Sequence, residues 1–441
     1  MTFFRHVFFV AAVVGLLAGR SSGAAVGARP NIVFILADDL GYGDLGCYGQ
    51  QRLATPHLDR LAREGMRFTR HYAGNTVCTP SRSSTLTGRH PGRVRHRDNP
   101  RFVHSYGFRP EDVTFAEVLR EAGYGTMLAG KWHVGDRADT TDMAHHHGFE
   151  VFHGLGYPYP DGGIEHWPSH LFRNGVRFAV PENAGGRRVR YMDDLYTDAA
   201  LEFMRERRDR PFLLFLSLQG VHAPMDGAIS ETYASRDWPE VEKVFASMLE
   251  KVDLNTGRVL NEIARLGLDG RTVVFFSSDN GPHAEGGHDA AFFNSSGLLR
   301  GIKRDLTEGG LRVPLIVRWP GIVRPHSVSA HVSASWDLLP TFAALAGVPT
   351  PAGIDGISLL PTLSGAAQPA HAFLYWETRE AGGQQAVLEG PWKAIRGGLL
   401  GEHPGSWRLH DLDSDPAEMH DLAAAYPGHV VRLAQIGRAH V

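Results

Sequence analysis

At 441 residues the chain is long enough for one large domain or two unequal ones. Its 43% hydrophobic and 21% charged residues are those of a soluble globular protein. A formal net charge of -3 gives no global attraction to nucleic acid or an anionic membrane, so neither is expected as a partner.

The N-terminus reads as an export signal. Arg5 and His6 precede the apolar run Val7 to Leu17, and small residues follow, with cleavage expected after Ala24, Ala25 or Ala28. The run is shorter than the roughly 20 residues that cross a bilayer, and no later segment is apolar for long enough. Residues 1–28 are therefore expected to be a signal peptide and the protein to be periplasmic or secreted; a membrane-tethered N-terminus is the alternative.

Ile32 to Ala37 is a continuous apolar run that ends in Asp38 and Asp39, the pattern of a buried parallel strand. A helix follows, with Thr55 as cap, Pro56 in its first position and Gly65 as its stop. A second helix places Phe115, Val118, Leu119 and Ala122 on one face and ends at Gly123. A short strand, Thr126 to Ala129, then leads to Lys131 and His133. "RPFLLFLSLQGVHAP" is a strand ending before His222. A long amphipathic helix, "VEKVFASMLEKVDLNTGRVLNEIARLGL", feeds the strand "TVVFFSSDNG", which ends at Asp279 and Asn280. This alternation predicts a doubly wound α/β fold, a mostly parallel sheet with helices on both faces.

Phe152 to Asp193, rich in Gly, Pro and aromatics, reads as a long excursion from that sheet. From about His371 the segments "AFLYWE", "QQAVLEG", "PWKAIRG" and "SWRLHDL" predict a small antiparallel sheet. The expected organisation is a catalytic α/β domain over 29–370 and a minor α+β subdomain over 371–441. The final "IGRAHV" matches one reading frame of a common sequencing-adapter DNA, so a missing natural C-terminus is expected; a genuine terminus is the alternative.

Four predicted strand ends carry polar residues: Asp38 and Asp39, Asp279 and Asn280, Lys131 and His133, and His222. Open α/β sheets bind ligands outside the carboxyl ends of their strands, so these residues are expected on one rim. Three carboxylates and an amide oxygen make a hard site suited to Ca²⁺, with Mg²⁺ second. Taken singly, "DD" and "DN" are ordinary turn or cap residues. Together they would repel strongly without a cation.

Cys78 is one of two cysteines, and a Cys47–Cys78 bridge, a buried thiol and a chemical role are all open to it. "TPSRSSTL" behind it looks like a helix start, whose free N–H groups suit an anion. Arg82, Lys131 and Lys303 add positive charge, and His133 and His222 offer acid–base chemistry. The implied substrate carries phosphate or sulfate.

"CTPSRSSTLTGR", Cys78 to Arg89, fits the signature C-x-P-S-R followed by L-T-G-R. With "GYGTMLAGKWHVG", "VHAP", "SSDNG" and "LRGIKRDLTEGGLRVPLIVRWPG" in order, the chain from Asn31 to about Leu422 resembles a type I sulfatase of the arylsulfatase family, within the alkaline phosphatase superfamily. The resemblance implies that a maturation enzyme converts Cys78 to Cα-formylglycine. The hydrated aldehyde attacks sulfur, the alcohol leaves, and the second hydroxyl expels sulfate. It implies further that Asp38, Asp39, Asp279, Asn280 and modified Cys78 hold Ca²⁺. Arg82 steadies the diol, Lys131 and Lys303 neutralise sulfate oxygens, and His133 is the base for elimination. His222 lies where the leaving oxygen is protonated or hydrogen-bonded. The expected activity is hydrolysis of sulfate esters, of a sulfated small molecule or glycan. A phosphonate or phosphodiester hydrolase is the second reading, and a non-catalytic glycan-binding protein with unmodified Cys78 the third.

Weaker signals remain. Six arginines between Arg89 and Arg109 read as a solvated basic loop or as a grip on a polyanionic glycan. His145 to His147 converge poorly on one ion. Trp167, Tyr157 and Tyr159 suit sugar stacking or ordinary loop packing.

Overall fold

All seven residues of Asn31–Ala37 are buried, and this apolar run lies in the middle of a ten-stranded sheet. The structure is a computed structural model that describes residues 29–99, 107–134, 142–155 and 166–439. The expected signal peptide, Arg101, Tyr157, Tyr159 and the last two residues of "IGRAHV" lie outside the described residues. The strands in chain order are β1 (Asn31–Ala37), β2 (Met66–Phe68), β3 (His71–Tyr72), β4 (Gly125–Lys131), β5 (Val151–Leu155), β6 (His170–Arg173), β7 (Val176–Ala179), β8 (Phe212–Ser217), β9 (Thr272–Ser278), β10 (Leu315–Arg318), β11 (Ser327–Ser329) and β12 (Ser333–Ala334).

The sheet order is β11-β2-β10-β9-β1-β8-β4-β5-β6-β7. Its centre, β9-β1-β8-β4-β5, is parallel throughout, and antiparallel pairs occur only toward the edges. Alternate residues of the central strands face opposite ways and build two cores. Val33, Ile35, Leu214 and Phe276 pack against the helices Met192–Glu206 and Glu240–Arg265. Ile32, Phe34, Phe215 and Phe275 pack against the helices Phe115–Glu121 and Leu338–Ala346. Helices therefore cover both faces, as expected for a doubly wound α/β fold.

Local detail departs from expectation in two places. Pro56 does open the helix Pro56–Arg63, but the Thr55 side chain does not cap it. Thr55 Oγ1 instead accepts from the Gly46 N–H at 2.9 Å and donates to Asp59 Oδ1 at 3.2 Å, serving the neighbouring loop. Nor is Phe152 to Asp193 wholly an excursion, because β6 and β7 extend the sheet as an antiparallel hairpin. Its turn is Asn174-Gly175, with φ of 49° and 80°, the left-handed pair that a two-residue hairpin requires.

A second sheet is a four-stranded antiparallel meander: β13 (Leu374–Thr378), β14 (Gln384–Glu389), β15 (Trp392–Gly397) and β16 (Arg408–Asp411). Leu374, Trp376, Leu388 and Ile395 share a core with Tyr72, Leu306, Leu311 and Trp336 from the larger part of the chain. The opposite face, with Tyr375, Val387 and Leu409, is covered by Leu433 of the helix Pro427–Arg438.

One buried charge network crosses the same junction. Lys393 of β15, fully buried, lies 2.8 Å from Glu308 Oε1 and 3.1 Å from Glu418 Oε1. Tyr72 Oη donates to Glu308 Oε2 at 2.9 Å, and the Glu308 N–H donates to Glu418 Oε2 at 2.7 Å.

Candidate active site

The four predicted polar strand ends belong to four adjacent strands, β9-β1-β8-β4. Neighbouring strands lie about 4.8 Å apart, so the whole set falls within roughly 15 Å. Asp279 and Asn280 follow β9, Asp38 and Asp39 follow β1, His222 follows β8 in a short turn, and Lys131 closes β4. All of these are buried. Asp39 and His133 turn into the site with φ of 63° and 57°, left-handed conformations that non-glycine residues adopt rarely and mainly at functional positions.

Cys78 is the first residue of the helix Cys78–Thr87, every residue of which is buried. Val77 precedes the helix and has no capping side chain; Asn99 Oδ1 instead accepts from the Thr79 N–H at 2.8 Å. Cys78 Sγ lies 3.3 Å from Asp38 Oδ1 and 4.0 Å from Asp39 Oδ1. Burial and the Asp38 carboxylate push its thiol well above the usual range. No disulfide joins it to Cys47, which is half-buried with its thiol pushed up to about 12 by burial and Asp59.

Lys131 Nζ donates to Asp38, and Lys303 Nζ donates to Asp39 Oδ2 at 2.7 Å. Lys303 is thus not a surface lysine. Arg82 Nε donates to Asp279 Oδ2 at 2.9 Å, and its Nη1 to Ser217 Oγ at 2.6 Å and to the Lys131 carbonyl at 3.1 Å. Arg82 therefore ties the ends of β9, β8 and β4 together. Its other guanidinium nitrogen lies 3.8 Å from Asp38. Ser81 Oγ donates to the Asp279 carbonyl. Ser217 and Asn99 escaped the sequence reading, because their roles arise only from tertiary contacts.

The three carboxylates respond differently. Burial works against ionisation of Asp38, but Lys131 and its other cationic neighbours hold it well below the usual carboxylate range. Asp39 is likewise lowered, against burial, by Lys303 and His222. Burial and Asp38 push Asp279 up to about 7, with Arg82 opposing. The donor set fits a hard divalent cation. Three carboxylates converge there, and Asn280 Oδ1 is buried with no hydrogen-bond partner while its Nδ2 donates to Asp39 Oδ1 at 2.7 Å. Asp38, Asp39, Cys78 and His222 each place a ligand atom within 4.8 Å of the others.

Both histidines are held neutral. Burial, Lys131 and Arg82 lower His133 well below its usual value. Burial and Lys303 lower His222 to about 4. His222 Nδ1 faces the Ala223 carbonyl, which fixes the proton there and leaves Nε2 as acceptor, 3.4 Å from Lys303 Nζ. The turn carrying His222 is held by a residue that the sequence did not single out for chemistry. Asp193, fully buried, accepts from the Gln219 N–H at 2.8 Å and the Gly220 N–H at 3.0 Å. Asp193→Ala is expected to lower kcat by about tenfold or more and to cost about 1–3 kcal/mol of stability, checked by steady-state kinetics and urea unfolding.

The weaker sequence signals resolve into packing. Arg89, Arg93, Arg97 and Arg109 pair with Asp112, Asp355, Glu377 and Asp112 respectively. His147 bonds Asp142 at 2.5 Å, and the rings of His145 and His146 lie 4.0 Å apart; no shared ion site forms among them. Trp167 donates to the Asp226 carbonyl at 3.0 Å and packs edge-on against Tyr191.

Residues 30–348 match the family model described as Sulfatase. The chain belongs to the sulfatase family. Residues 302–432 match a second model, N-sulphoglucosamine sulphohydrolase, C-terminal. Arylsulfatase A of Homo sapiens is 36% identical over 469 residues, covering 95% of this chain and 88% of its own length. A Bacteroides thetaiotaomicron protein, solved in work on the metabolism of multiple glycosaminoglycans, is 27% identical. It covers 93% of this chain and 99% of its own, with a TM-score of 0.79. A protein crystallised in complex with k-i-k-neocarrahexaose is 26% identical, with 93% of each chain covered and a TM-score of 0.81. This sulfatase is a sulfuric ester hydrolase of the type I, alkaline phosphatase superfamily architecture. Among its described residues no helix is long and apolar enough to cross a membrane.

Proposed function

We propose that this sulfatase hydrolyses the sulfate ester of a sulfated carbohydrate, using Cα-formylglycine derived from Cys78 and a bound Ca²⁺. One observation carries the reading: the first residue of a buried helix faces two carboxylates that are themselves paired with Lys131 and Lys303. Asp38, Asp39, Asp279, Asn280 and modified residue 78 would hold the cation, and their oxygen-rich set favours Ca²⁺ over Mg²⁺, which prefers to keep water ligands. When bound, the cation supplies Lewis acidity that acidifies the hydroxyls of the hydrated aldehyde.

The chain's own residues do the rest. Lys131, Lys303 and Arg82 set three positive charges against the three carboxylates. A divalent cation then leaves a surplus of two, which suits a sulfate ester of charge -1 that departs as sulfate of charge -2. Lys131 and Lys303 face the sulfate oxygens, where charge develops in the transition state. His133, neutral, accepts a hydroxyl proton from residue 78 as sulfate is expelled. His222 serves the leaving oxygen by passing on a proton that the attacking hydroxyl of residue 78 gives up, while the adjacent Lys303 keeps its charge. Arg82 fixes Asp279 and steadies the diol. Thr79 to Arg82 form the stretch read by the maturation enzyme, residues 1–28 direct export, and the chain divides into 29–370 and 371–441.

The deciding experiment compares purified protein on 4-nitrophenyl sulfate and bis(4-nitrophenyl) phosphate; a phosphodiester preference overturns the sulfatase choice. Exhaustive chelation is expected to lower the rate by at least about a hundredfold and to lower Tm, with Ca²⁺ restoring both. Full activity after chelation, with metal absent by elemental analysis, refutes the cation's role.

A further inference from the structure

Around the deep cluster, among the described residues, the charged side chains of Glu285 and Arg304 reach solvent. Asp38, Asp39, Lys131, Arg82 and Lys303 have side-chain exposures of 0 to 2%, and His222 has 11%. Glu285 and Arg304 have 27% and 40%. They form a pair, with Arg304 Nη2 2.5 Å from Glu285 Oε1. The other carboxylate oxygen of Glu285 lies 3.4 Å from Lys303 Nζ, so the pair adjoins the sulfate-facing lysine on its outer side.

Both residues are held from behind. The Glu285 N–H donates to His283 Nδ1 at 3.0 Å, and His283 Nε2 then donates to the Val221 carbonyl at 2.9 Å, beside His222. Gly286 and Gly287 follow with φ of 64° and 88°, and a Cβ on Gly286 would stand 3.2 Å from Met225 Cγ. The loop is thus docked on the turn that carries His222. Arg304 has φ of 80°; its N–H donates to the Thr76 carbonyl at 3.0 Å, and its carbonyl accepts from Gln384 Nε2 at 2.6 Å. Glu380, buried, approaches Arg304 Nε at 3.5 Å from the small sheet's side. Two loops and the C-terminal sheet therefore fix one acceptor and one donor at the outer edge of the site.

We propose that Glu285 and Arg304 are specificity-determining residues that grip a free hydroxyl of the sugar ring next to the sulfate ester. The proposal rests on the sulfatase reading and deepens it. A hydroxyl donates to a carboxylate and accepts from a guanidinium, so one sugar oxygen satisfies both partners. An aryl or steryl ring offers neither partner. A second sulfate or a carboxylate there would meet Glu285 as a like charge. The substrate class is a singly sulfated, hydroxyl-bearing sugar.

The test measures kcat/KM for wild type, Glu285→Gln and Arg304→Met on 4-nitrophenyl sulfate and on galactose 6-sulfate, N-acetylgalactosamine 4-sulfate, N-acetylgalactosamine 6-sulfate and glucosamine 6-sulfate. The best sugar is repeated as its deoxy analogue lacking the hydroxyl nearest the ester. Each variant is expected to lower the sugar-to-aryl ratio by about 10- to 100-fold, as losing a hydrogen bond to a charged group does. The deoxy analogue should lose as much with wild type and little more with Glu285→Gln, which general loosening of the fold would not produce. A ratio held within about threefold in both variants overturns the proposal. So does a wild type that hydrolyses the aryl sulfate and none of the sugars. Failure on every sulfate ester refutes the sulfatase reading itself and takes the proposal with it.

Discussion

Cys78→Ala is expected to abolish turnover, with a loss of at least about 10³-fold in kcat measured on 4-nitrophenyl sulfate. Alanine removes the group that faces Asp38 and Asp39 without adding bulk to a fully buried helix start. Cys78→Ser should lose a comparable amount, because a single hydroxyl can be sulfated once and has no second hydroxyl to release the sulfate. In active wild-type protein the peptide bearing residue 78 should be lighter by about 18 Da than its sequence requires, the change from CH₂SH to CHO. Retained activity in either variant, or an unshifted peptide in fully active enzyme, refutes the formylglycine mechanism. Because the site's ion pairs do not use the thiol, both variants should unfold in urea close to wild type.

Lys393→Met should have the largest effect on stability, about 3–5 kcal/mol in urea unfolding. Lys393 is the buried cation between Glu308 and Glu418. Burial opposes ionisation of Glu308, but Lys393 and Arg312 hold it below the usual range. Burial and Glu308 hold Glu418 above it. Of the two carboxyls, Glu418 therefore takes up a proton more readily than Glu308 as pH falls. Without Lys393, the Glu308 carboxylate keeps the mostly buried Arg312 at 3.4 Å and the Tyr72 hydroxyl at 2.9 Å. Adding Glu308→Gln to Lys393→Met should recover part of the loss, since the stranded charge goes with it. A single variant within about 1 kcal/mol of wild type would show the network to be dispensable. Glu308 follows Lys303 by five residues, so the same variant should raise KM for sulfate esters.

The sheet and its rim were legible because buried parallel strands leave a plain trace. Ile32 to Ala37 and Thr272 to Ser278 are largely apolar runs that stop at carboxylates, and both stops lie in the buried charge cluster of the candidate site. The neighbour relation β9-β1-β8-β4, which brings these stops together, has no local trace. The hairpin of β6 and β7 was passed over although "RNGV" holds its turn. Composition drew attention to the surrounding Gly, Pro and aromatic residues, and strands of four residues give little periodicity. Asp193, Ser217 and Asn99 were illegible for a different reason. A lone Asp, Ser or Asn has many uses, and only the fold shows which backbone N–H or guanidinium it meets. Arg93 and Arg97 gave no sign of their pairing because Asp355 and Glu377 lie 262 and 280 residues away.

The complete burial of residue 78 also sets an order of events. An enzyme cannot reach a side chain with no accessible surface at the base of a docked helix. The proposed conversion of Cys78 would therefore have to act on the nascent or still-open chain, with folding closing the window behind it. Two populations of identical sequence, one altered in time and one not, would be kinetically separate molecules, interconvertible only through unfolding.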